Sequence, residues 1–129
     1  MSTLKADTIV ASDGSSPVTL TKQEAAKNWV NFDGSGTVSI RQSLNASGLV
    51  DNGTGDYTIN FTNSMSYANY SITTNATGSG FTYPRVSGCG ADGDSGFATT
   101  SHGMTCREPT SGSLSDTNQN VTALHGDLA

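Results

Sequence analysis

Apolar and polar residues alternate along several short stretches of this chain, and glycine-rich turns separate the stretches. In the segment Asp51–Met65, Tyr57, Ile59 and Phe61 alternate with threonine and asparagine residues. Successive side chains of an extended strand point to opposite faces, so the three apolar residues would share one face. The segment opens with the letters DNGTGD, which are residue types typical of turns. The pattern predicts a turn followed by a strand with one buried face.

The same arrangement recurs along the chain. The segment from 29 to 44 has two β-prone runs on either side of Asp-Gly-Ser-Gly at 33–36, which predicts a hairpin. Further short strands are predicted around Leu44 and over residues 57–61, 69–74, 81–86, 97–100 and 121–124. Short strands with turn residues between them predict an all-β fold, an antiparallel β-sandwich of jelly-roll-like type.

Large apolar side chains of these strands form the predicted core. The predicted members are Trp29, Phe32, Tyr57, Ile59, Phe61 and Tyr70. Hydrophobic residues make up 33% of the 129 residues and charged residues 13%, both low for a globular domain. A core this thin predicts that the domain gains further stability by packing against copies of itself.

Residues 1–27 are predicted to form an extended N-terminal arm with one short helix, ahead of a sandwich domain over residues 28–129. The helix is predicted within TKQEAAKNW, where Thr21 is a suitable N-cap and Glu24 follows three residues later, completing a capping box. The arm carries too few apolar residues to fold alone. We expect four of them to contact another protein: Leu4, Ile9, Val18 and Leu20.

The charge and hydropathy of the chain argue against nucleic acid and membranes as partners. The net charge is −5, and the six basic residues are scattered, whereas nucleic acid is bound through clustered lysine and arginine. We therefore expect no nucleic-acid partner. Long apolar runs are absent, so no membrane insertion is expected, and the N-terminus lacks the features of a secretory signal, so synthesis in a cytoplasm is expected.

No group of residues predicts catalysis, and we expect neither enzymatic activity nor a cofactor. The tetrapeptide Gly-Asp-Ser-Gly at 93–96 is similar to the nucleophile loop of trypsin-like serine proteases. Those enzymes place the general base before the serine, whereas both histidines of this chain, His102 and His125, follow it. The tetrapeptide is therefore expected to be a surface loop.

A metal site is not expected either. Asp92 and Asp94, with Asp56 or Asp116, could in principle offer oxygen ligands to calcium, but the fixed ligand spacing of an EF-hand loop is absent. The two histidines are too few and too far apart in sequence to suggest a zinc site. A solvated acidic loop is the expected structure.

Two cysteines leave two alternatives open. Cys89 and Cys106 bracket a glycine-rich segment and could close it as a disulfide, which a chain-entropy estimate values at about 3 kcal/mol. A protein made in a reducing cytosol usually keeps its thiols reduced. The sequence does not decide between a disulfide and two thiols.

Four segments of the chain resemble a module of tailed bacteriophages of marine and freshwater bacteria, including cyanophages. The similar segments are AKNWVNF at 26–32, SLNAS at 43–47, DNGTGDYT at 51–58 and ANY at 68–70. The opening MSTLKADTI and the closing GDLA also resemble the ends of phage fibre-like proteins, whereas residues 84–116 are not covered. This resemblance implies a virion structural protein similar to tail-fibre-like proteins.

The resemblance carries expectations about assembly and location. It implies a homotrimeric short tail fibre or knob on the virion surface, attached to other virion proteins through the N-terminal arm and able to bind a host-surface glycan or protein. A capsid decoration (cement) protein or head-fibre protein is an alternative, because the domain follows only a short arm. A stand-alone carbohydrate-binding β-sandwich is a further alternative.

The segment Pro84–Gly112 is the predicted host-facing part. It is rich in glycine, it is outside the resemblance, and loops commonly carry recognition on a rigid scaffold. We expect it to face solvent away from the arm and to contact a host glycan or protein, the alternative being a merely variable loop without a ligand. The candidate contact residues are Arg85, Asp92, Asp94, His102, Arg107 and Glu108.

Overall fold

The computed structural model describes residues 25–78, 84–89 and 96–129, and of Pro84, Arg85, Val86 and Cys89 the backbone alone. These residues form β-strands and no helix, and therefore contain no helix able to cross a membrane. The strands are β1 (Asn28–Asp33), β2 (Ser39–Leu44), β3 (Ala46–Gly53), β4 (Asp56–Phe61), β5 (Ser71–Thr77), β6 (Pro84–Cys89), β7 (Ser101–Arg107) and β8 (Gln119–His125). The all-β prediction is confirmed.

The strands form two antiparallel sheets of four strands each. The first sheet has the order β2-β1-β8-β5 and the second the order β6-β7-β4-β3. Strand β6 joins the sheets, because Pro84 and Arg85 pair with β5 and the rest of the strand pairs with β7. At the opposite side of the molecule, the chain passes directly from the edge strand β2 to the edge strand β3.

Asn45 makes this passage between the two edge strands. Its φ is 58°, in the left-handed region that asparagine tolerates better than most residues. Its side chain accepts a hydrogen bond from the backbone N–H of Asn63 (2.7 Å) and donates one to the Asn63 carbonyl (3.0 Å). Its own carbonyl accepts a bond from the Asn28 side chain (3.0 Å). Asn45 thus connects the passage between β2 and β3 to the start of β1 and to the residues that follow β4.

The inner faces of the two sheets share one core. Its main cluster draws Val30, Phe32 and Ala76 from the first sheet and Tyr57, Ile59, Met104 and Cys106 from the second. A smaller cluster of Phe61, Met65, Tyr70 and Leu124 continues it at one end. Of the predicted core residues, Phe32, Tyr57, Ile59, Phe61 and Tyr70 are buried.

Trp29 is the exception, and its assignment to the core is wrong. It lies between Asn28 and Val30, which are both fully buried, and is itself only partly buried. Because side chains alternate along a strand, Trp29 and Phe32 cannot share a face of β1. Trp29 therefore lies on the outer face of the first sheet, where its neighbours across the ladder are Leu44 and Ala123.

The predicted helix is not formed in the part of it that the structure describes. Residues 25–27 are irregular, Lys27 donates its N–H to the Leu124 carbonyl (2.8 Å), and β1 begins at Asn28. Pairing with β8 and burial of alternate side chains outweigh the weak helical preference of a short run. Residues 21–24 and the arm residues Leu4, Ile9, Val18 and Leu20 lie outside the described residues.

A third correction concerns the strand predicted over residues 97–100. Only Phe97 makes an isolated bridge there, to His102, and the strand itself is Ser101–Arg107. The sequence SHGMTCR has little β-propensity, but β7 lies between β6 and β4 in the second sheet. Burial between two neighbouring strands decides strand formation more strongly than intrinsic preference does.

Candidate functional site

The two ends of the sheets differ in the connections that they carry. At one end, called here the turn end, lie the hairpin turns 34–38 and 54–55 and the connection 108–118. At the other end, the tail end, lie Asn45, the connection 62–70, residues 96–100 and the C-terminal tail 126–129. The chain enters β1 at the tail end, through residues 25–27.

Tyr57 and Asp116 close the turn end. The Tyr57 hydroxyl donates to the Gly34 carbonyl (2.9 Å) and lies 3.2 Å from Asp116 Oδ1. The same carboxylate oxygen accepts the N–H of Gly55 at 2.7 Å. Burial, with the nearby Asp116 charge, raises the pKa of Tyr57 well above its usual value. The tyrosine is therefore a neutral hydrogen-bond donor that links two turns.

By residue type, Asp116 and Asp56 could offer oxygen ligands to calcium. The Asp116 carboxylate serves instead as an acceptor for the chain's own donors. Within the described residues, no three His, Cys, Asp or Glu side chains come together as a metal site would require. Asp92 and Asp94 lie outside the described residues.

A second buried polar group surrounds Asn120 near the same end. Asn120 Oδ1 accepts hydrogen bonds from the Thr117 hydroxyl and from the Cys106 thiol (3.1 Å), and its amide donates to the Thr117 carbonyl (2.9 Å). All three residues are buried. The network fixes the start of β8 against β7.

The backbone register bears on the cysteine alternatives. Cys106 pairs with Ser87, and Cys89 pairs with Met104, so the two cysteines are diagonal neighbours on the β6–β7 ladder. Diagonal positions are farther apart than the directly opposed pairs of a sheet. The side chain of Cys89 is outside the described part of the chain, and the disulfide remains a prediction.

His102 is buried, so its assignment as a host-contacting residue is wrong. It is 1% exposed, and its ring lies against Phe61 with the ring centroids 5.6 Å apart. Neither ring nitrogen has a hydrogen-bond partner within the described residues. Burial lowers the pKa of His102 to about 4. The sequence signal that was missed is the period-two spacing of His102, Met104 and Cys106.

The remaining candidates of the host-facing segment are dispersed. Arg107 donates to the Gly112 carbonyl (3.0 Å) and the Glu108 N–H donates to Ser113 (2.9 Å), so both residues help to form the connection at the turn end. The described part of the segment Pro84–Gly112 contains the antiparallel strands β6 and β7, so it is not one surface loop. Arg85, Asp92 and Asp94 remain predictions, because their side chains are not described.

The tail end is built around the C-terminal tail. The N–H of Ser66 donates to the Asp127 carbonyl (2.8 Å), its hydroxyl donates to the Leu128 carbonyl (2.7 Å), and the Ala129 N–H donates to Ser64 (2.9 Å). Met65 and Leu128 form a β-bridge. These contacts hold the tail firmly against the connection between β4 and β5.

A concave pocket of about 220 Å³ opens beside this contact. It is lined by Tyr67, Asn69, Tyr70, Gly126 and Asp127. Tyr67 is 72% exposed, whereas Tyr70 is buried. A Cβ on Gly126 would lie 3.0 Å from both Met65 Cε and Tyr70 Cβ, so the absence of a side chain there allows the tail to approach closely. No local sequence pattern predicts this pocket, because its residues come from two distant segments.

A second pocket, of about 320 Å³, lies on the other side of the tail. It is lined by Ala26, Lys27, Leu44, Asn45, Thr62, Asn63 and Leu128. Leu44 and Leu128 are 47% and 41% exposed. The pocket lies where the chain enters the first sheet.

The comparisons with known proteins identify no relative. No family model, curated protein or solved structure matches the chain.

Proposed function

We propose that this chain is a non-enzymatic structural protein of a bacteriophage particle, and that its two sheets form a β-sandwich that assembles as a homotrimer. The trimer would be a short tail fibre or knob on the virion surface, synthesised in the host cytoplasm. The arm would bind other virion proteins, and the exposed surface would bind the host. The resemblance of residues 26–70 to phage modules supports the class of protein, and the two antiparallel four-stranded sheets support a sandwich.

The proposed self-association is supported by one side of the molecule, which consists of β2, Asn45 and β3 and is called here the open side. Among the described strands, both are edges and have a neighbour on one side only. Leu44 on β2 is 47% exposed, and Val50 on β3 is 44% exposed. Edge strands with unpaired backbone groups and apolar side chains are ready to associate with another chain unless they are protected.

The residues behind this surface support the same proposal. Val38, Ile40 and Leu49 pack against the core from the open side and are only partly buried. Covering them would remove additional apolar area from water, and each buried Å² contributes roughly 25 cal/mol. A second copy placed against the open side would complete a core that the single chain leaves thin.

Light scattering on the purified full chain tests the assembly. We expect a mass three times the 13.2 kDa of one chain at micromolar concentration. Val50→Lys should shift the chain toward the monomer, because it places a charge on the apolar edge. Asn75→Lys, at an exposed position of β5, is the matched control and should remain trimeric. A wild-type chain that is monomeric would contradict the proposal.

The capsid-decoration and head-fibre alternative differs in copy number. Quantitative mass spectrometry of purified particles should find tens of copies for a tail fibre and hundreds for a decoration protein. Deleting residues 1–24 should abolish incorporation into particles and leave the domain folded. Normal incorporation of the shortened chain would exclude the proposed role of the arm.

A further inference from the structure

The pocket at the tail end presents three different kinds of chemical group to solvent. Tyr67 offers an aromatic face and is 72% exposed, the highest value among the exposed large hydrophobic residues of the described chain. Asn69 offers an amide that both donates and accepts hydrogen bonds, and Asp127 offers a carboxylate that accepts them. Asn69 and Asp127 are exposed, and no hydrogen bond within the described residues occupies their side chains.

The pocket is held in one shape before any ligand binds. The single proton of the Tyr70 hydroxyl is shared between the carbonyls of Ser101 (3.0 Å) and Ala98 (3.2 Å), and the ring centroids of Tyr70 and Phe97 are 5.3 Å apart. Gly126 packs closely against Tyr70, since a Cβ atom on Gly126 would lie only 3.0 Å from Tyr70 Cβ. The hydrogen bonds of Ser66 fix the tail on the other side. A preformed site loses less conformational entropy on binding.

The lining selects the class of ligand. A carboxylate at the rim and a chain charge of −5 disfavour an anion, and the polar rim disfavours a purely apolar ligand. A volume of about 220 Å³ is below the usual range for a drug-sized ligand. A single sugar ring meets these limits, since it has an apolar C–H face for the aromatic ring and hydroxyl groups for the amide and the carboxylate.

We propose that this pocket binds one neutral sugar residue of a glycan, with the Tyr67 ring against its C–H face and Asn69 and Asp127 hydrogen-bonded to its hydroxyls. The proposal deepens the host-binding part of the proposed function and rests on it only for the source of the glycan. The site differs from the segment Pro84–Gly112, which the sequence favoured for host contact.

An NMR titration of the full chain tests the pocket. Glucose, galactose, mannose and N-acetylglucosamine are added separately, with N-acetylneuraminic acid as the anionic comparison. We expect saturable shifts of the backbone amides of residues 66–70 and 126–128 with at least one neutral sugar and none with the anionic one. The proposal is overturned if none of the four neutral sugars gives such shifts.

Substitutions at Tyr67 and Asp127 assign the contacts. Tyr67→Ala should raise the Kd by at least about tenfold, which corresponds to about 1.4 kcal/mol, while Tyr67→Phe, which keeps the ring, should stay within about threefold of the wild type. Asp127→Asn should also weaken binding, and it serves as the second variant if Tyr67→Ala alters the spectrum beyond the pocket. Thr110→Ala, an exposed position in the connection 108–118 at the turn end, should leave the Kd unchanged. Equal affinity of Tyr67→Ala and the wild type would refute the assignment.

The two proposals can fail separately. If the chain forms trimers and enters particles but no sugar binds, the pocket proposal alone is lost. If a monomeric chain binds the sugar through Tyr67, the assembly proposal is lost and the pocket stands.

Discussion

The turn end and the tail end of the sheets use similar polar residues in opposite ways. At the turn end, the polar groups of Tyr57, Asp116 and Asn120 bond to one another or to the backbone. At the tail end, Tyr67 and Asp127 are exposed at a pocket, and the buried His102 has no hydrogen-bond partner within the described residues. The difference indicates that the polar groups of the turn end serve the fold itself, whereas those of Tyr67 and Asp127 at the tail end are left for a ligand.

The largest expected effect is the difference in stability loss between substituting the buried Tyr57 of the turn end and the exposed Tyr67 of the tail end. Tyr57→Ala removes a fully buried ring that contacts Phe32, and it should lower the free energy of unfolding by about 3–5 kcal/mol. Tyr67→Ala removes an exposed ring and should change it by less than about 0.5 kcal/mol. Urea denaturation measures both. Similar losses for the two variants would show that the tail end also carries the fold.

The second effect is the pH dependence that His102 confers on the tail end. Burial lowers its pKa to about 4 in the folded chain, and the ordinary value of about 6.5 applies in the unfolded chain. Between these values the unfolded chain binds more protons, so stability falls as the pH falls from about 6.5 to about 4. The full loss, reached below about pH 4, is about 3 kcal/mol.

His102→Leu isolates this contribution from that of the carboxylates. Its side chain is apolar and cannot take up a proton, so the variant should lack this part of the acid destabilisation. The measurement is urea denaturation of both proteins across the pH range. If the difference in stability between them is the same at neutral and acid pH, then His102 does not titrate in this way.

The smallest effect tests how closely the turn end is packed. Gly55 and Gly36 have similar positive φ values of 64° and 62°. A Cβ at Gly55 would lie 2.6 Å from the Cys106 carbonyl oxygen and from the Ser115 nitrogen, whereas one at Gly36 would meet nothing within 4 Å. Gly36→Ala should cost about 1 kcal/mol from backbone strain alone. Gly55→Ala should cost at least about 2 kcal/mol, because overpacking adds to the strain.

Thermal unfolding of the two alanine variants measures this difference. Gly36 serves as the control because its conformation is the same but its surroundings are open. Equal losses for the two variants would mean that the contact between the turn at Gly55 and residues 106–115 relaxes without cost.

The alternating pattern of the sequence was sufficient for the fold class and most of the core. Residues 57–61 alternate strictly, and the strand that they form buries the three expected side chains. The Asp-Gly-Ser-Gly turn at 33–36 correctly placed the first hairpin. These features are local, since the period of side-chain direction and the chemistry of a turn depend on a few consecutive residues.

Tertiary structure decided the features that depend on partners distant in sequence. Strand β7 forms because β4 and β6 flank it, and this pairing buries His102, which sequence alone assigned to a surface loop. The pocket at the tail end joins residues 67–70 with residues 126–127, and no local pattern links those two segments. By itself, the sequence determined which residues alternate and where the chain turns. The pairing of strands determined which face became the interior and which side chains met at the surface, because both depend on contacts between residues far apart in the chain.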